Sequence, residues 1–285
     1  MVVQAQEGRL TTASVRVLVA TAVPVERDAV ARAFASPPRE VPLPGTTLHR
    51  VEHPAPPAEA AVAPLVDAPA ATPASAPATA VPVADADAGS RYDLLAAGVG
   101  PAAAAAATGA ALTAAALAGQ PYDLVVSAGI GGGFPPDAPV GSVVVADEIT
   151  VADLGAETAD GFVSVTGLGF GTVAHHPPRS LVRDVAAATG GVTGTVLTVS
   201  TVTGSAARAD ELRARHPGAV AEAMEGFGVA EAAAAHGCPV LEIRTVSNPV
   251  GPRDRAAWRI PEALAALTEA FGKTVHVVES WKKHD

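Results

Sequence analysis

Two glutamates and one asparagine define the chemistry open to this chain. Glu225 stands at the entrance of a small-residue segment, Gly226 to His236, and Asn248 ends the apolar run Val240-Leu241-Glu242-Ile243-Arg244-Thr245-Val246 as part of Ser247-Asn248-Pro249. An ionised glutamate only accepts hydrogen bonds, so the two hydroxyls of a ribose are suitable partners for Glu225. The amide of Asn248 can donate to the edge of a purine. Glu26 lies a few residues beyond another apolar run, Val15-Arg16-Val17-Leu18-Val19-Ala20, and a carboxylate partly removed from water there can act as a general base on water. A base carboxylate, a sugar-holding carboxylate and a preoriented donor for a departing base suit cleavage of an N-glycosidic bond. Plainer roles compete: a dipole-favoured acid for Glu225, a solvated helix acid beside Arg27 or Arg32 for Glu26, and a turn cap before Pro249 for Asn248.

The elements needed to position these groups can be read from the pattern of apolar residues. Val15–Ala20 reads as a first strand, and Pro24 and Glu26 open a helix to about Phe34, since proline is tolerated in a first turn. Leu94–Ala97 reads as a strand, Ala102–Leu117 as an alanine-rich helix, Asp123–Ala128 and Val140–Asp147 as strands, and Gly226–His236 as the helix before the strand that ends at Asn248. Alternation of this kind predicts an α/β fold, three-layer αβα with a mixed, mostly parallel central sheet. In open sheets of this class ligands bind at the carboxyl ends of the strands, which is where Glu26, Ser247 and Asn248 fall. Two glycine runs, Gly98-Val99-Gly100 and Gly129-Ile130-Gly131-Gly132-Gly133, read as tight turns. They can bring backbone N–H groups close to a ligand, or serve turn geometry alone.

Residues 1–14 read as a flexible leader and 15–285 as a single domain carrying a Pro/Ala-rich low-complexity insertion at about 36–90. Prolines at 37, 38, 42, 44, 54, 56, 57, 64, 69, 73, 77 and 82 remove too many N–H donors for a helix or a central strand. Most of that stretch is expected to be a loop, with Thr46–Val51 able to pair as an edge hairpin.

Composition narrows the function. The net charge of -10 and pI near 5.2 argue against nucleic-acid and anionic-membrane partners, which need a concentrated positive field. A single cysteine, Cys238, excludes an internal disulfide and a cysteine-rich metal site, and fits a reducing cytoplasm. No signal-peptide or membrane-spanning pattern is apparent, and neither a cofactor nor a metal is expected. His175-His176 are adjacent and unaccompanied by spaced ligands, a poor arrangement for a metal.

The string Met224-Glu225-Gly226-Phe227-Gly228-Val229-Ala230 followed by a strand ending in Ser247-Asn248 resembles the nucleoside phosphorylase and nucleosidase superfamily. Glu222-Ala223-Met224-Glu225-Gly226 with Ser247-Asn248-Pro249-Val250-Gly251-Pro252-Arg253-Asp254-Arg255 and Trp258 is similar to its futalosine-hydrolase branch. The likeness covers most of the chain outside roughly 36–90. It implies a nucleoside phosphorylase-like fold and a hydrolase acting on a purine nucleoside. Glu26 and Asn248 would be catalytic, and Met224, Glu225, Phe227, Ser247, Gly98, Gly100, Ile130 and Gly131 substrate-binding. It also implies a homo-oligomer, dimer or tetramer. Adenine-specific nucleosidases carry aspartate where this chain has Asn248; an amide has no proton to release, and its NH2 better suits the 6-oxopurine of futalosine. Phosphorylases hold phosphate with a glycine-rich loop and an arginine, and Thr21-Ala22-Val23-Pro24-Val25-Glu26 offers neither, which favours water as nucleophile. An adenine-type nucleosidase, a phosphorylase and a non-catalytic nucleoside-binding protein are the alternatives. Futalosine also carries a carboxylated aromatic ketone on its sugar, for which Arg208, Arg253, Arg255, His175 and His176 are candidate cations.

Overall fold

The computed structural model describes residues 14–54 and 89–281. Residues 1–13 of the expected leader, and residues 55–88 of the expected insertion, lie outside the described residues.

In chain order the elements are β1 (Arg16–Thr21), α1 (Pro24–Ala31), β2 (Arg39–Leu43), β3 (Thr46–His53), β4 (Ser90–Ala96), α2 (Pro101–Leu117), β5 (Leu124–Gly133), β6 (Val143–Val151), β7 (Gly155–Thr158), β8 (Gly161–Ser164), β9 (Ala174–His175), α3 (Arg179–Thr189), β10 (Val192–Thr198), α4 (Ala206–Arg215), β11 (Ala219–Ala223), α5 (Gly226–Ala235), β12 (Val240–Pro249), a 3-10 turn (Arg255–Ala257) and α6 (Ile260–Ser280). The main sheet runs β11-β10-β6-β12-β5-β1-β4-β3-β2, with β9 beside β6. Its long inner pairings, β4–β1–β5–β12 and β6–β10–β11, are parallel. β12–β6 and the β4–β3–β2 edge are antiparallel, so the sheet is mixed. β11 returns to pair with the end of β5, closing β5, β12, β6, β10 and β11 into a ring.

Helices cover both faces, as near-continuous apolar strands require. α2 and α5 pack together on one face, and α1, α3 and α6 on the other. The strand side chains divide accordingly: Leu18, Val125, Val144, Val196 and Val246 join the first core, and Val17, Val19, Val126, Leu241 and Ile243 join the second. The expected αβα architecture is therefore present.

One local expectation is met and one needs correction. The edge hairpin expected around Thr46–Val51 is present: β2 and β3 pair against β4, with Pro42 on the edge strand, where a missing donor breaks no ladder. The run Gly129–Gly133 is not a turn, because β5 continues through Gly133, and none of its glycines has positive φ. They are small because neighbours crowd them. A β-carbon at Gly133 would run into the carbonyl of Ala138 and lie 2.8 Å from Val246 Cγ1. Gly98 and Gly100 do form a turn, with φ of 97° and 90°, and Pro101 follows as the first residue of α2.

Candidate active site

The carboxyl ends of β1, β5, β11 and β12 surround a cavity of about 360 Å3, within the range of small-molecule sites. Glu26, Ile130, Gly131, Met224, Glu225, Ser247 and Asn248 all line it. Residues from four separated stretches of sequence thus meet in one place.

Glu26 is fixed by backbone donors. It is the third residue of α1, and its carboxylate turns back over the helix start: Oε2 accepts from Ala22 N at 3.0 Å and Val23 N at 3.2 Å, while Oε1 accepts from Ile130 N at 2.9 Å. The residue is 3% exposed. Burial pushes its pKa above the ordinary 4.5, an effect that Arg244 and the backbone donors oppose and Glu225 reinforces. Such a carboxyl is a stronger base, once ionised, than one in water.

Arg244 ties the acids together. Entirely buried on β12, it donates from Nε to Glu242 Oε1 at 2.9 Å, from Nη1 to Glu225 Oε2 at 3.3 Å and from Nη2 to Ser127 Oγ at 3.0 Å. Burial disfavours its charge, but Glu242, Glu225 and Glu26 more than restore it. Gly129 makes room for this cluster: a β-carbon there would lie 2.7 Å from Glu26 Oε1 and 2.8 Å from Arg244 Nη1. Glu242 is fully buried, its Oε2 has no hydrogen-bond partner among the described residues, and burial raises its pKa. Three carboxylates around one guanidinium carry surplus negative charge, which favours retaining a proton on Glu242.

Glu225 precedes α5, and its other oxygen, Oε1, accepts from Gly100 N at 3.2 Å. The Gly98–Gly100 turn therefore reaches the site through Glu225; of that turn it is Val99 that lines the cavity. At the opposite wall Ser247 Oγ donates to Asn248 Oδ1 at 2.8 Å and lies 3.2 Å from Gly131 O, while Asn248 Nδ2 donates to Pro249 O at 3.1 Å. An amide nitrogen has two protons, so one remains for a ligand.

Phe227 departs from expectation. It points away from this cavity, 5.3 Å from the His175 ring, and lines a neighbouring depression with Pro101, Ala102 and Glu231. Its place one residue into α5, whose buried face packs on the α2 side, accounts for that. Sequence reasoning also passed over Thr203 and Glu222 as wall residues. Glu222 Oε1 accepts from Thr203 N at 2.8 Å and Oε2 from the Thr203 hydroxyl; burial raises its pKa, and these bonds oppose the rise. In the sequence only its place near the carboxyl end of β11, two residues before Met224, could have pointed to it.

The chain belongs to the phosphorylase superfamily, whose family model matches residues 55–279. Its similarity to one branch is high: it is 65% identical over 268 residues to the futalosine hydrolase of Streptomyces coelicolor, covering 94% of this chain and 98% of that protein. Among solved structures it resembles futalosine hydrolase of Helicobacter pylori, with a TM-score of 0.68 at 16% identity over 92% of this chain and 97% of the other. It also resembles the 5'-methylthioadenosine/S-adenosylhomocysteine nucleosidase of Neisseria meningitidis in complex with methylthio-immucillin-A, with a TM-score of 0.67 at 20% identity over 93% and 99% of the two chains. At these identities the structural likeness shows the shared fold.

Proposed function

We propose that this protein hydrolyses the N-glycosidic bond of futalosine, releasing hypoxanthine and dehypoxanthine futalosine, a step of menaquinone biosynthesis. The observation that carries the reading is the meeting of Glu26, Glu225 and Asn248 in one cavity, and the similarity to the Streptomyces enzyme supports the choice of substrate.

In this reading Glu225 accepts hydrogen bonds from the ribose hydroxyls, its charge held in place by Arg244 and Gly100 N. Glu26 removes a proton from a water as the water oxygen bonds to the anomeric carbon. The carbon–nitrogen bond breaks through an oxocarbenium-like state, and its electron pair leaves with the purine. Asn248 donates its free N–H to the base as negative charge develops there, and Ser247 fixes the orientation of the amide. The departing purine then takes a proton from solvent. Met224 and Ile130 supply apolar wall, which keeps the dielectric low and these interactions strong.

The protein is further read as a cytoplasmic homo-oligomer. Among the described residues no helix is long and apolar enough to cross a membrane. The deciding experiment follows base release from futalosine by chromatography with and without phosphate. Free hypoxanthine at a phosphate-independent rate supports the reading; a phosphate requirement makes the protein a phosphorylase, and release of base only from adenine nucleosides makes it an adenine-type nucleosidase.

A further inference from the structure

One buried acid of the cavity wall has no part in the mechanism above. Glu222 is 5% exposed, stands near the carboxyl end of β11 and lines the same cavity as Glu26, Glu225 and Asn248. It lies apart from the cluster that holds the sugar: the charges acting on it most are Arg208 and Asp153, whereas those acting on Glu26 are Arg244 and Glu225. The ladder puts it instead beside the amide. Gly132 of β5 is the register partner of Glu222 on β11 and of Asn248 on β12, and a β-carbon at Gly132 would lie 3.4 Å from Asn248 Nδ2. Two strand spacings, roughly 10 Å at most, therefore separate the backbones that carry the two side chains.

The Glu222 carboxylate is fixed but not saturated. Oε1 accepts from Thr203 N at 2.8 Å and Oε2 from the Thr203 hydroxyl, so both donors come from a single residue. An ionised carboxylate has about four lone-pair sites, and half of them remain. An acid with spare acceptors thus shares a wall with an amide that has a spare donor. That pattern discriminates between purines. A 6-oxopurine presents a carbonyl oxygen at C6 beside an N–H at N1, an acceptor next to a donor. A 6-aminopurine presents an NH2 beside a bare N1, the reverse order, and would set a lone pair against the carboxylate.

We propose that Glu222 is a second base-reading residue of the site, its carboxylate accepting the N1–H of a 6-oxopurine while Asn248 donates to the neighbouring oxygen edge, and that this pair sets a preference for 6-oxo over 6-amino nucleosides. This rests on the reading of the main cavity as a nucleoside site. Thr203 clamps the carboxylate in place, and the N1–H takes up an acceptor that Thr203 leaves over. A bond accepted from N1–H gains nothing as negative charge builds on the departing base. Glu222 therefore acts on binding and choice of base, and Asn248 on the rate.

The test is Glu222→Gln. The amide can keep both bonds to Thr203, its oxygen accepting from Thr203 N and its NH2 donating to the hydroxyl, which rotates to accept. What changes is the group left for the base, now an N–H in place of a lone pair. The ratio of kcat/KM for futalosine over its 6-amino counterpart, aminodeoxyfutalosine, is measured for the wild type, for Glu222→Gln and for Thr203→Val. We expect Glu222→Gln to lower the ratio by about tenfold or more, with the loss appearing in KM for futalosine, as removal of a charge-assisted hydrogen bond implies. Thr203→Val loosens the same segment but leaves the carboxylate, and should lower both activities alike. An unchanged ratio in folded Glu222→Gln, or an equal shift in Thr203→Val, assigns Glu222 to holding the Thr203 segment alone and overturns the proposal. A measurement independent of variant folding is NMR of the wild type saturated with hypoxanthine carrying nitrogen-15 at N1. An N1–H resonance moved downfield and protected from exchange supports the assignment, and its absence overturns it. If the wild type releases no base from futalosine, the functional reading fails, and the same NMR experiment judges Glu222 by itself.

Discussion

Replacing Asn248 by aspartate tests the base-recognition argument most directly. The side chain keeps its shape, and its oxygen facing Ser247 Oγ at 2.8 Å is still an acceptor. The other end changes sign. Where Nδ2 now donates to Pro249 O at 3.1 Å, a carboxylate oxygen would face a carbonyl oxygen, and the proton reserved for the base would be gone. Losing a hydrogen bond to developing charge costs about 1.5–3 kcal/mol, and loss of a comparable preoriented donor lowers kcat by about 10²- to 10³-fold. We therefore expect Asn248→Asp to lower kcat/KM for futalosine by about a hundredfold or more. Relative activity on a 6-amino substrate such as aminodeoxyfutalosine should rise, since a protonated aspartate can supply a proton to adenine. The assay is parallel measurement of hypoxanthine and adenine release over pH 5–8, with circular dichroism to establish folding. A folded variant that releases hypoxanthine at the wild-type rate would show that this amide does not bear on the departing base.

Glu26→Gln should abolish turnover, but it is not structurally silent. All three polar contacts of the carboxylate are backbone N–H donors, so an NH2 group must oppose at least one of them. A stability loss of about 1–3 kcal/mol in denaturant melts should accompany the lost activity; full activity would remove Glu26 as the base. Because burial raises the Glu26 pKa, the acid limb of the kcat profile should fall above pH 4.5, with activity lost as pH drops through the raised value. Stability runs the other way. The raised values at Glu26, Glu222 and Glu242 contribute stability that is fully present below pH 4.5 and is lost as pH rises through them. An activity limb at or below pH 4.5 would contradict the site description. Gly129→Ala should push Glu26 and Arg244 apart by about 1 Å, lowering kcat about a hundredfold, and an unaffected rate would mean that their separation is not critical. Glu242→Leu removes the nearest hydrogen-bond acceptor of a buried guanidinium and should cost about 1–3 kcal/mol in unfolding free energy, whereas an unchanged melt would assign that role to Glu225 and Ser127.

The polar residues of the site were legible where a strand end or helix start exposes them. Ser247 and Asn248 follow an apolar run, and Glu26 follows one with a helix start between, so the position of each could be inferred from periodicity alone. Glu225 was legible because it opens a helix of small residues. Phe227 was not, since the direction a residue faces in the first turn of α5 depends on how α5 meets α2, a tertiary matter with no local trace. Thr203 lies in an irregular segment between β10 and α4 and comes to the cavity only through its two bonds to Glu222. The glycine run of β5 was misread for a related reason. Glycine marks crowding as well as bending, and sequence does not distinguish a backbone that must turn from one that another chain segment approaches closely.

In the proposed reading of the site, the ring closed by β11 on the end of β5 has a consequence for base selection. Gly132 is the register partner of Glu222 on one side and of Asn248 on the other, so two walls of the cavity are bonded to the same strand residue. Their spacing is therefore a property of the β-ladder and is established when the protein folds. Purine choice at this end should then be insensitive to loop motion or ligand occupancy, and altered only by changing the side chains that project from that frame.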